Sequence, residues 1–208
     1  MRLFELQPST VKDLSKLADA GTNKNELIKF LLDRGYSKTS EGVFGEVYDK
    51  QGDDFVIKIS KHMDPFYLRF AEYAKKNKDP HLPKLKIKSY IPQGEVVPYG
   101  FIAFIEKLQP ITRDKHEDWL LSQALSVFSA IANKKITLDK QISILKANDF
   151  YDEIVAAVRE NKSLFLSMNK FKRAMKNTPG NFQYDLKIEN LMKRKDGTIV
   201  IIDPLSYA

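Results

Sequence analysis

The sequence predicts an α+β fold in which a sheet-rich first half precedes a helical second half. From Tyr36 to about Glu106, apolar and polar residues largely alternate, the period of strands with one buried face. After Pro110 the apolar residues recur at three- and four-residue spacing, which is typical of amphipathic helices. With 208 residues, 43% of them hydrophobic, the chain can close the core of one compact domain or one tight two-lobed unit.

The composition excludes several classes of protein. The absence of cysteine excludes a disulfide scaffold and thiolate metal sites, and it fits a reducing compartment. No stretch approaches eighteen consecutive apolar residues, and the start of the sequence shows no signal-peptide cleavage pattern. We therefore expect a soluble, cytoplasmic protein without a membrane partner.

Two helices are predicted to open the chain, as a helical N-terminal extension over residues 1–35. Thr10 and Asp13 have the spacing of a capping box for the first helix, and Asn23 and Glu26 have it for the second. Both helices are predicted to end at a glycine, namely Gly21 and Gly35.

An antiparallel sheet with one internal helix is predicted to follow. The strands GEVYD and DFVIKIS flank the turn KQGD and indicate a hairpin. The internal helix is predicted to begin at Pro65 within the run 64–77, and the strands KLKIKSY and YGFIAFIEKL come after it.

The second half is predicted to contain three helices near residues 113–132, 139–159 and 161–177. The pair Pro179-Gly180 ends the last of them. The stretch LMKRKDGTIVIID then predicts a hairpin that turns at Asp196-Gly197.

Charge is concentrated in one segment. The chain carries a net charge of +7, and residues 159–195 hold ten Lys/Arg against three acidic residues. Such an excess suits an acidic protein partner, a polyanionic ligand or nucleic acid, or simply a solvated face. Aromatic residues are not interleaved with the basic ones, which makes a single-strand nucleic-acid platform the less favoured interpretation.

Polar residues near the end of the sequence have a spacing suited to phosphoryl transfer. In DLKIEN, Asp185 can accept the proton of an attacking hydroxyl, and Asn190 with the strand-terminal Asp203 can supply oxygen ligands for Mg²⁺. Lys187 can stabilise charge on the transferred group. Taken singly, each of these residue types is also common in turns and caps.

DLKIEN followed by IID resembles the catalytic loop and metal-binding Asp of the eukaryotic-type protein kinase family, whose pattern is Asp-x-Lys-x-x-Asn and then a strand-terminal Asp. Upstream, SEGVFGEV resembles the glycine-rich loop of that family, with Ser40 in place of the first glycine. FVIK places Lys58 where the family has its ATP-binding lysine. The resemblance covers roughly Ser40 to Asp203, and it adds Gly42, Phe44, Gly45 and Val47 as candidate nucleotide contacts.

The resemblance implies ATP and Mg²⁺ as cofactors and a two-lobed protein-kinase-like fold. Its N-lobe with the linker would span residues 36–109, and a reduced helical C-lobe would span 110–208. Glu72, the only glutamate of the internal helix, would pair with Lys58. Backbone groups of Glu106, Lys107 and Leu108 would bind the adenine edge.

The sequence also departs from the family. Gln183 and Tyr184 stand where His and Arg are usual, and Pro204-Leu205 replaces Phe-Gly. Only five residues follow Asp203, so we expect neither the usual activation segment nor the helices that dock peptides. The ending Asp203-Pro-Leu-Ser206 resembles that of small early kinases of tailed bacteriophages, for which the host cytoplasm would be the location.

The lysine at position 187 favours a serine/threonine protein kinase, because protein kinases of the family carry lysine there. One alternative is a small-molecule phosphotransferase of the aminoglycoside- or choline-kinase type, which shares the fold and both metal ligands but usually lacks that lysine and adds an acid-lined pocket. Another is a non-catalytic, nucleotide-dependent binding module.

Overall fold

The computed structural model describes residues 9–42, 45–60, 62–90, 100–112, 114–133, 140, 143, 146–147, 149–176 and 180–207. Helices and antiparallel strands are both present, which confirms the predicted α+β class. The chain divides into two compact units. The first unit contains the chain up to Lys76 together with Pro83–Lys107, and the second contains Asn77–Leu82 together with the chain from Leu108 on.

The first unit is built on a five-stranded antiparallel sheet. Three helices belong to the same unit. The bounds are α1 Ser9–Asp19, α2 Lys24–Asp33, β1 Ser37–Gly42, β2 Gly45–Asp49, β3 Phe55–Ser60, α3 Pro65–Lys76, β4 Leu85–Tyr90 and β5 Gly100–Glu106. The strands follow the spatial order β1-β2-β3-β5-β4, and each pairs with its neighbour in the antiparallel sense.

Local rules explain most of these helix ends. The capping box of α2 is confirmed, because the Glu26 amide donates to Asn23 Oδ1 (3.1 Å) and the Asn23 amide donates to Glu26 Oε2 (3.3 Å). Gly21 and Gly35 have φ angles of 78° and 80°, so both stops adopt the left-handed conformation that glycine tolerates. The predicted cap at Thr10 is wrong, because Thr10 is buried inside α1.

The start of α3 is confirmed at Pro65. The buried Asp64 caps this helix, since its Oδ1 accepts from the amides of Phe66 and Tyr67, both at 3.0 Å. Proline at the first helical position loses no hydrogen bond there.

The two N-terminal helices complete the core of the first unit. Their apolar residues share one cluster with the side chains on one face of the sheet, and this cluster is fully shielded from solvent at most positions. The helices are therefore integral to the unit. The cluster consists of Val11, Leu14, Ala18, Leu27, Leu31, Tyr36, Tyr48, Phe55, Ile57, Ile59, Tyr90, Ile102 and Phe104.

The second unit combines helices with short strands. The bounds are β6 Gln109–Pro110, α4 His116–Ala132, α5 Tyr151–Glu160, α6 Lys162–Met175, β7 Phe182–Tyr184, a 3₁₀ turn Ile188–Asn190, β8 Leu191–Lys193, β9 Ile199–Ile201 and β10 Leu205–Tyr207. Strand β10 pairs with β7, and β6, β8 and β9 form a second antiparallel sheet. The predicted hairpin is confirmed as β8–β9, with Gly197 at φ 87° in its turn.

The single helix predicted near 139–159 is interrupted. The described residues Lys140, Ser143 and Lys146 are helical, a turn follows at Ala147, Asp149 and Phe150, and a separate helix begins at Tyr151. Much of the preceding stretch lies outside the described residues. Among the helices that are described, none combines the length and apolar character needed to cross a membrane.

The second unit also takes six residues, Asn77–Leu82, from between α3 and β4. The Ile201 amide donates to the His81 carbonyl (2.9 Å), and His81 Nδ1 lies 2.7 Å from the Ile199 carbonyl. Arg194 donates through its guanidinium to the carbonyls of Pro80 and Leu82. These bonds tie the segment to the β8–β9 hairpin.

Candidate active site around Asp185

The DLKIEN loop lies directly after β7 and shows an alternation of buried and solvent-facing side chains. Leu186, Ile188 and Leu191 are buried, whereas Asp185 is half-buried and Lys187 is exposed. The apolar residues hold the loop on the second unit, so its polar side chains are presented outward. One 3₁₀ turn closes the loop, with the amide of Asn190 donating to the carbonyl of Lys187 (3.0 Å).

The Asp185 carboxylate is the centre of the loop. Lys187 Nζ lies 3.0 Å from its Oδ2, and Asn190 Nδ2 donates to the same oxygen at 3.0 Å. Asn190 Nδ2 also lies 2.6 Å from the Asp185 carbonyl oxygen. Two donors therefore fix the orientation of a carboxylate whose side chain keeps 30% of its surface exposed. A carboxylate held in this way can still accept a proton from a bound group.

Backbone bonds place Asp203 beside this loop. The amide of Asp185 donates to the carbonyl of Pro204, and the amide of Ile202 donates to the carbonyl of Asn190, both at 2.9 Å. Asp203 is the residue between these two cross-links, and it is half-buried. The structure thus brings the four residues predicted for chemistry into one neighbourhood of the second unit, while their chemical roles stay predictions.

Two side chains hold Tyr184, the residue before Asp185. They are Ser129 on α4 and Asn133 at the C-terminal cap of that helix. Asn133 makes a reciprocal pair with Tyr184, accepting from its amide (2.7 Å) and donating to its carbonyl (2.8 Å). Ser129 Oγ donates to the same carbonyl (2.9 Å). Neither Ser129 nor Asn133 was predicted from the sequence, because neither belongs to a motif and each lies more than 50 residues from its partner. An Asn at a helix end was the only signal, and such residues are common.

Tyr184 is further fixed at its other end, where its hydroxyl donates to the carbonyl of Lys172 (3.2 Å). Burial raises the pKa of this hydroxyl, so it stays a neutral donor. Tyr184 stands where the resemblance to the kinase family would place an arginine. Its described contacts hold the chain in position just before Asp185.

A small pocket opens beside the DLKIEN loop. Its volume is about 210 Å³, and its walls come from one side of α4 and from the start of the loop. The lining residues are Ser126, Ser129, Ala130, Asn133, Asp185, Leu186 and Lys187.

A larger cavity of about 460 Å³ lies elsewhere in the second unit, between α4, α5 and the hairpin. It is rich in carboxylates, although Asp118 is paired with Lys193 at 2.7 Å. No residue of DLKIEN contributes to its lining. Its carboxylates are Glu117, Asp118, Glu153 and Glu160.

In the first unit, the structure brings together Val47 and Lys58. They lie directly opposite each other on β2 and β3, and Ala103 lies opposite Lys58 on β5. Residues paired in this way point to the same face of the sheet, and it is the face opposite the α1–α2 cluster. The ammonium of Lys58 lies 3.9 Å from the centre of the Tyr67 ring of α3.

Glu72 was predicted to pair with Lys58, but the described contact of Lys58 on α3 is with a different residue. Glu72 is exposed on α3, and the described contact of the ammonium on that helix is the ring of Tyr67. Tyr67 and Glu72 lie five positions apart on α3. Tyr67 faces the sheet, where its ring stacks on that of Phe101 (5.4 Å between ring centres). Helical period alone does not fix which residue reaches the lysine.

The predicted glycines have different environments. A Cβ atom at Gly45 would lie 2.7 Å from the Ile59 carbonyl, so glycine is required by the close approach of β3. Gly42 is exposed, and its nearest neighbour would be 4.0 Å away. The predicted Phe44 lies outside the described residues. The requirement at Gly45 is therefore explained by the sheet itself.

Some of the backbone groups predicted to bind the edge of adenine are already hydrogen-bonded within the protein. The Glu106 amide donates to the Lys84 carbonyl (2.9 Å), and the Lys107 amide donates to the Asp54 carbonyl (2.8 Å). Glu106 is buried and accepts through Oε1 from the Lys84 amide (2.8 Å). Two of the three predicted N–H groups are thus already bonded. The carbonyl groups and the backbone of Leu108 stay as candidates.

No family model matches this chain, and no curated protein was found to be similar to it. The interpretation of the site therefore depends on its geometry and on the resemblance of its motifs.

Proposed function

We propose that the protein is an ATP- and Mg²⁺-dependent serine/threonine protein kinase, with the two-lobed kinase-like fold and the first unit as its N-lobe. The observation that carries the proposal is the convergence of Asp185, Lys187 and Asn190, with Asp203 held beside them by backbone bonds. These are the groups that phosphoryl transfer needs: a base, a cation for the transferred group and oxygen ligands for a metal.

Asp185 is the proposed catalytic base. Its Oδ2 is occupied by Lys187 and Asn190, so Oδ1 is the oxygen that would accept the proton of the acceptor hydroxyl. As that proton moves to Asp185, the acceptor oxygen forms a bond to the γ-phosphorus. The bond from phosphorus to the bridging oxygen breaks, and ADP leaves.

Asn190 and Asp203 are the proposed Mg²⁺ ligands. Asn190 uses its amide nitrogen towards Asp185, which leaves its amide oxygen for a cation. Bound Mg²⁺ would neutralise charge on the phosphate oxygens. Among the described residues, no group of three or more His, Cys, Asp or Glu side chains forms a metal cage. Two protein ligands agree with how Mg²⁺ is usually held, with phosphates and waters completing the shell.

In the first unit, the shared face of Val47 and Lys58 is the proposed nucleotide surface. The lysine would bind phosphate oxygens, and Val47 would cover the adenine. Gly42, Gly45 and Phe44 would line the phosphate turn, as the resemblance implies.

The basic segment 159–195 is proposed to attract an acidic acceptor protein, with nucleic acid as the less favoured partner. Part of its charge is already used within the second unit, because Lys187 and Lys193 pair with carboxylates and Arg194 binds carbonyls. The exposed cations on or next to α6 would therefore provide most of the attraction. They are Lys162, Arg173 and Lys176, together with Lys170, whose ammonium lies 3.9 Å from Asp79 Oδ2.

Phosphoryl transfer from labelled ATP with Mg²⁺ to a protein acceptor tests the proposal. Asp185→Ala should lower the transfer rate by about 10² to 10⁴-fold, the usual contribution of a positioned base. Saturating MgATP should still raise the melting temperature of this variant, because a ligand that binds only the folded state stabilises it. Lys58→Met and Asp203→Ala should reduce that thermal shift.

Glu189→Gln is the matched control, since it alters an exposed carboxylate of the same loop. It should keep the wild-type rate within a few-fold. Full activity of Asp185→Ala would contradict the proposal, and so would a wild-type melting temperature that saturating MgATP leaves unchanged.

A further inference from the structure

We propose that Tyr67 is a positioning residue of the nucleotide site, and that its ring holds the ammonium of Lys58 by a cation–π contact before the phosphates of ATP bind to it. The inference rests on the proposed function, which assigns Lys58 to those phosphates. It adds a residue that no motif of the sequence indicates, and it makes the affinity for MgATP depend on the electrons of an aromatic ring.

The contact between the two residues is close and lies on the proposed nucleotide face of the sheet. Lys58 Nζ lies 3.9 Å from the centre of the Tyr67 ring, well inside the limit of about 6 Å within which a ring face attracts a cation. Val47 on β2 and Ala103 on β5 lie directly opposite Lys58 and share its face. The ring therefore meets the ammonium at the surface proposed to bind the nucleotide.

The ring of Tyr67 is itself held in two ways. It stacks on the ring of Phe101 of β5, with 6° between the planes and 5.4 Å between the centres. Its backbone lies in the first turn of α3, where the Tyr67 amide donates to Oδ1 of the buried Asp64 (3.0 Å). The sheet and the helix cap thus fix the ring that the ammonium contacts.

Burial of the ring strengthens the contact. Only 3% of Tyr67 is exposed, and cation–π attraction increases where water is excluded. A lysine side chain also has many rotamers, and it loses conformational freedom when its ammonium binds a phosphate. A ring that already restricts the ammonium lowers this cost, so the nucleotide binds more tightly without any new contact to the protein.

A ring also differs from a carboxylate in its effect on the phosphates. A carboxylate beside the ammonium would place a negative charge close to the phosphate oxygens and repel them. A tyrosine ring attracts the cation through its quadrupole and adds no net charge. Through Tyr67, α3 therefore holds Lys58 without opposing the ligand that Lys58 is proposed to bind.

A double-mutant cycle on the full chain tests the inference, with the dissociation constant of MgATP measured by calorimetry. Tyr67→Leu keeps an apolar side chain but removes the ring, and it should weaken binding about 3- to 30-fold. Tyr67→Phe keeps the ring and should bind within about twofold of wild type. In the Lys58→Met background, Tyr67→Leu should change the affinity much less, because the cation is absent.

Fluorinated phenylalanines at position 67 distinguish a cation–π effect from a packing effect. Each fluorine withdraws electrons from the ring face while the ring keeps nearly the same volume, so the dissociation constant should rise with each added fluorine. Tyr73→Leu is the matched control, because it makes the same change at a half-buried tyrosine elsewhere on α3. This variant should bind MgATP like wild type.

The outcomes separate the inference from the proposed function. If wild type binds MgATP and Tyr67→Leu binds it equally well, the positioning role is wrong and the proposed function stands. A dissociation constant that does not change with fluorination would overturn the inference in the same way, and so would an equal effect of Tyr67→Leu with and without Lys58. If wild type binds no MgATP, the proposed function fails together with this inference.

Discussion

The two units each contain a carboxylate bound by a lysine and by a second donor, and the two carboxylate–lysine pairs differ in their exposure. In the first unit, Glu46 binds Lys24 (2.6 Å) and the hydroxyl of Tyr48 (2.6 Å). In the second, Asp185 binds Lys187 (3.0 Å) and the amide of Asn190 (3.0 Å). The side chains of Lys24 and Glu46 are 21% and 11% exposed, whereas those of Lys187 and Asp185 are 52% and 30% exposed.

The difference indicates what each pair does. Lys24 and Glu46 lie 22 residues apart and join α2 to β2, so their bond fixes two elements. The hydrogen bond from Lys24, followed by that from Tyr48, lowers the pKa of Glu46. Burial, followed by the hydrogen bond to Glu46, raises the pKa of Tyr48. Asp185 and Lys187 belong to one loop and stay open to solvent. Similar chemistry thus serves architecture where it is buried and is available for reaction where it is exposed.

The largest expected effect that tests this comparison is on catalysis. Lys187→Ala should lower kcat by about 10² to 10³-fold, because a cation aimed at developing charge contributes mainly in the transition state. The Michaelis constant for ATP should rise much less. The free energy of unfolding should change by less than about 1 kcal/mol, since the pair is half exposed. Steady-state kinetics and urea denaturation measure the two quantities. A large loss of stability with little change in kcat would reverse the roles assigned to the two pairs.

The next effect is on stability. Lys24→Met should lower the free energy of unfolding by about 1.5 to 3 kcal/mol, because it leaves a buried carboxylate without its cation. Lys38→Met removes the lysine of an exposed pair, Lys38–Glu41, and should lower the free energy of unfolding much less, because solvent screens that pair. Adding Glu46→Gln to Lys24→Met should recover part of the loss, which a double-mutant cycle by denaturation would detect. Equal costs for Lys24→Met and Lys38→Met would contradict the comparison.

The smallest expected effect is on the pH dependence of stability. Because the folded pKa of Glu46 lies below its ordinary value of 4.5, its contribution is fully present above that value. The contribution is lost as the pH falls through the lower, folded value. Unfolding followed from pH 7 to pH 3 should therefore show a steeper loss of stability for wild type than for Glu46→Gln below about pH 4.5. Parallel curves would show that Glu46 does not titrate with folding.

Local signals predicted much of the fold. The Asn23–Glu26 box, the glycine stops, Pro65 at the start of α3 and the turn at Gly197 each follow from the conformational preferences of a few neighbouring residues. The prediction of a helix cap at Thr10 was wrong, because the same Thr–Asp spacing also occurs inside a helix. The packing of α1 and α2 on the sheet was not predictable, because periodicity identifies an apolar face but not what covers it.

Some residues of the candidate site were likewise predictable from the local sequence, and others were not. Asp185, Lys187 and Asn190 were found together because the chemistry of one loop is encoded in consecutive residues. The Asn133–Tyr184 pair connects positions 51 residues apart, and no local pattern records it. Tyr67, the described partner of Lys58 on α3, was missed because an acid was expected there.

The six residues Asn77–Leu82 have a consequence for how the protein can be divided. Since they belong to the second unit but lie within the sequence of the first, the chain passes from one unit to the other three times. A gene segment that begins at Leu108 would lack the carbonyls of His81 and Leu82, to which Ile201 and Arg194 donate. Neither unit is a contiguous module that could be exchanged by recombination at one junction. A recombination event at a single junction would therefore separate this segment from the hairpin that it binds.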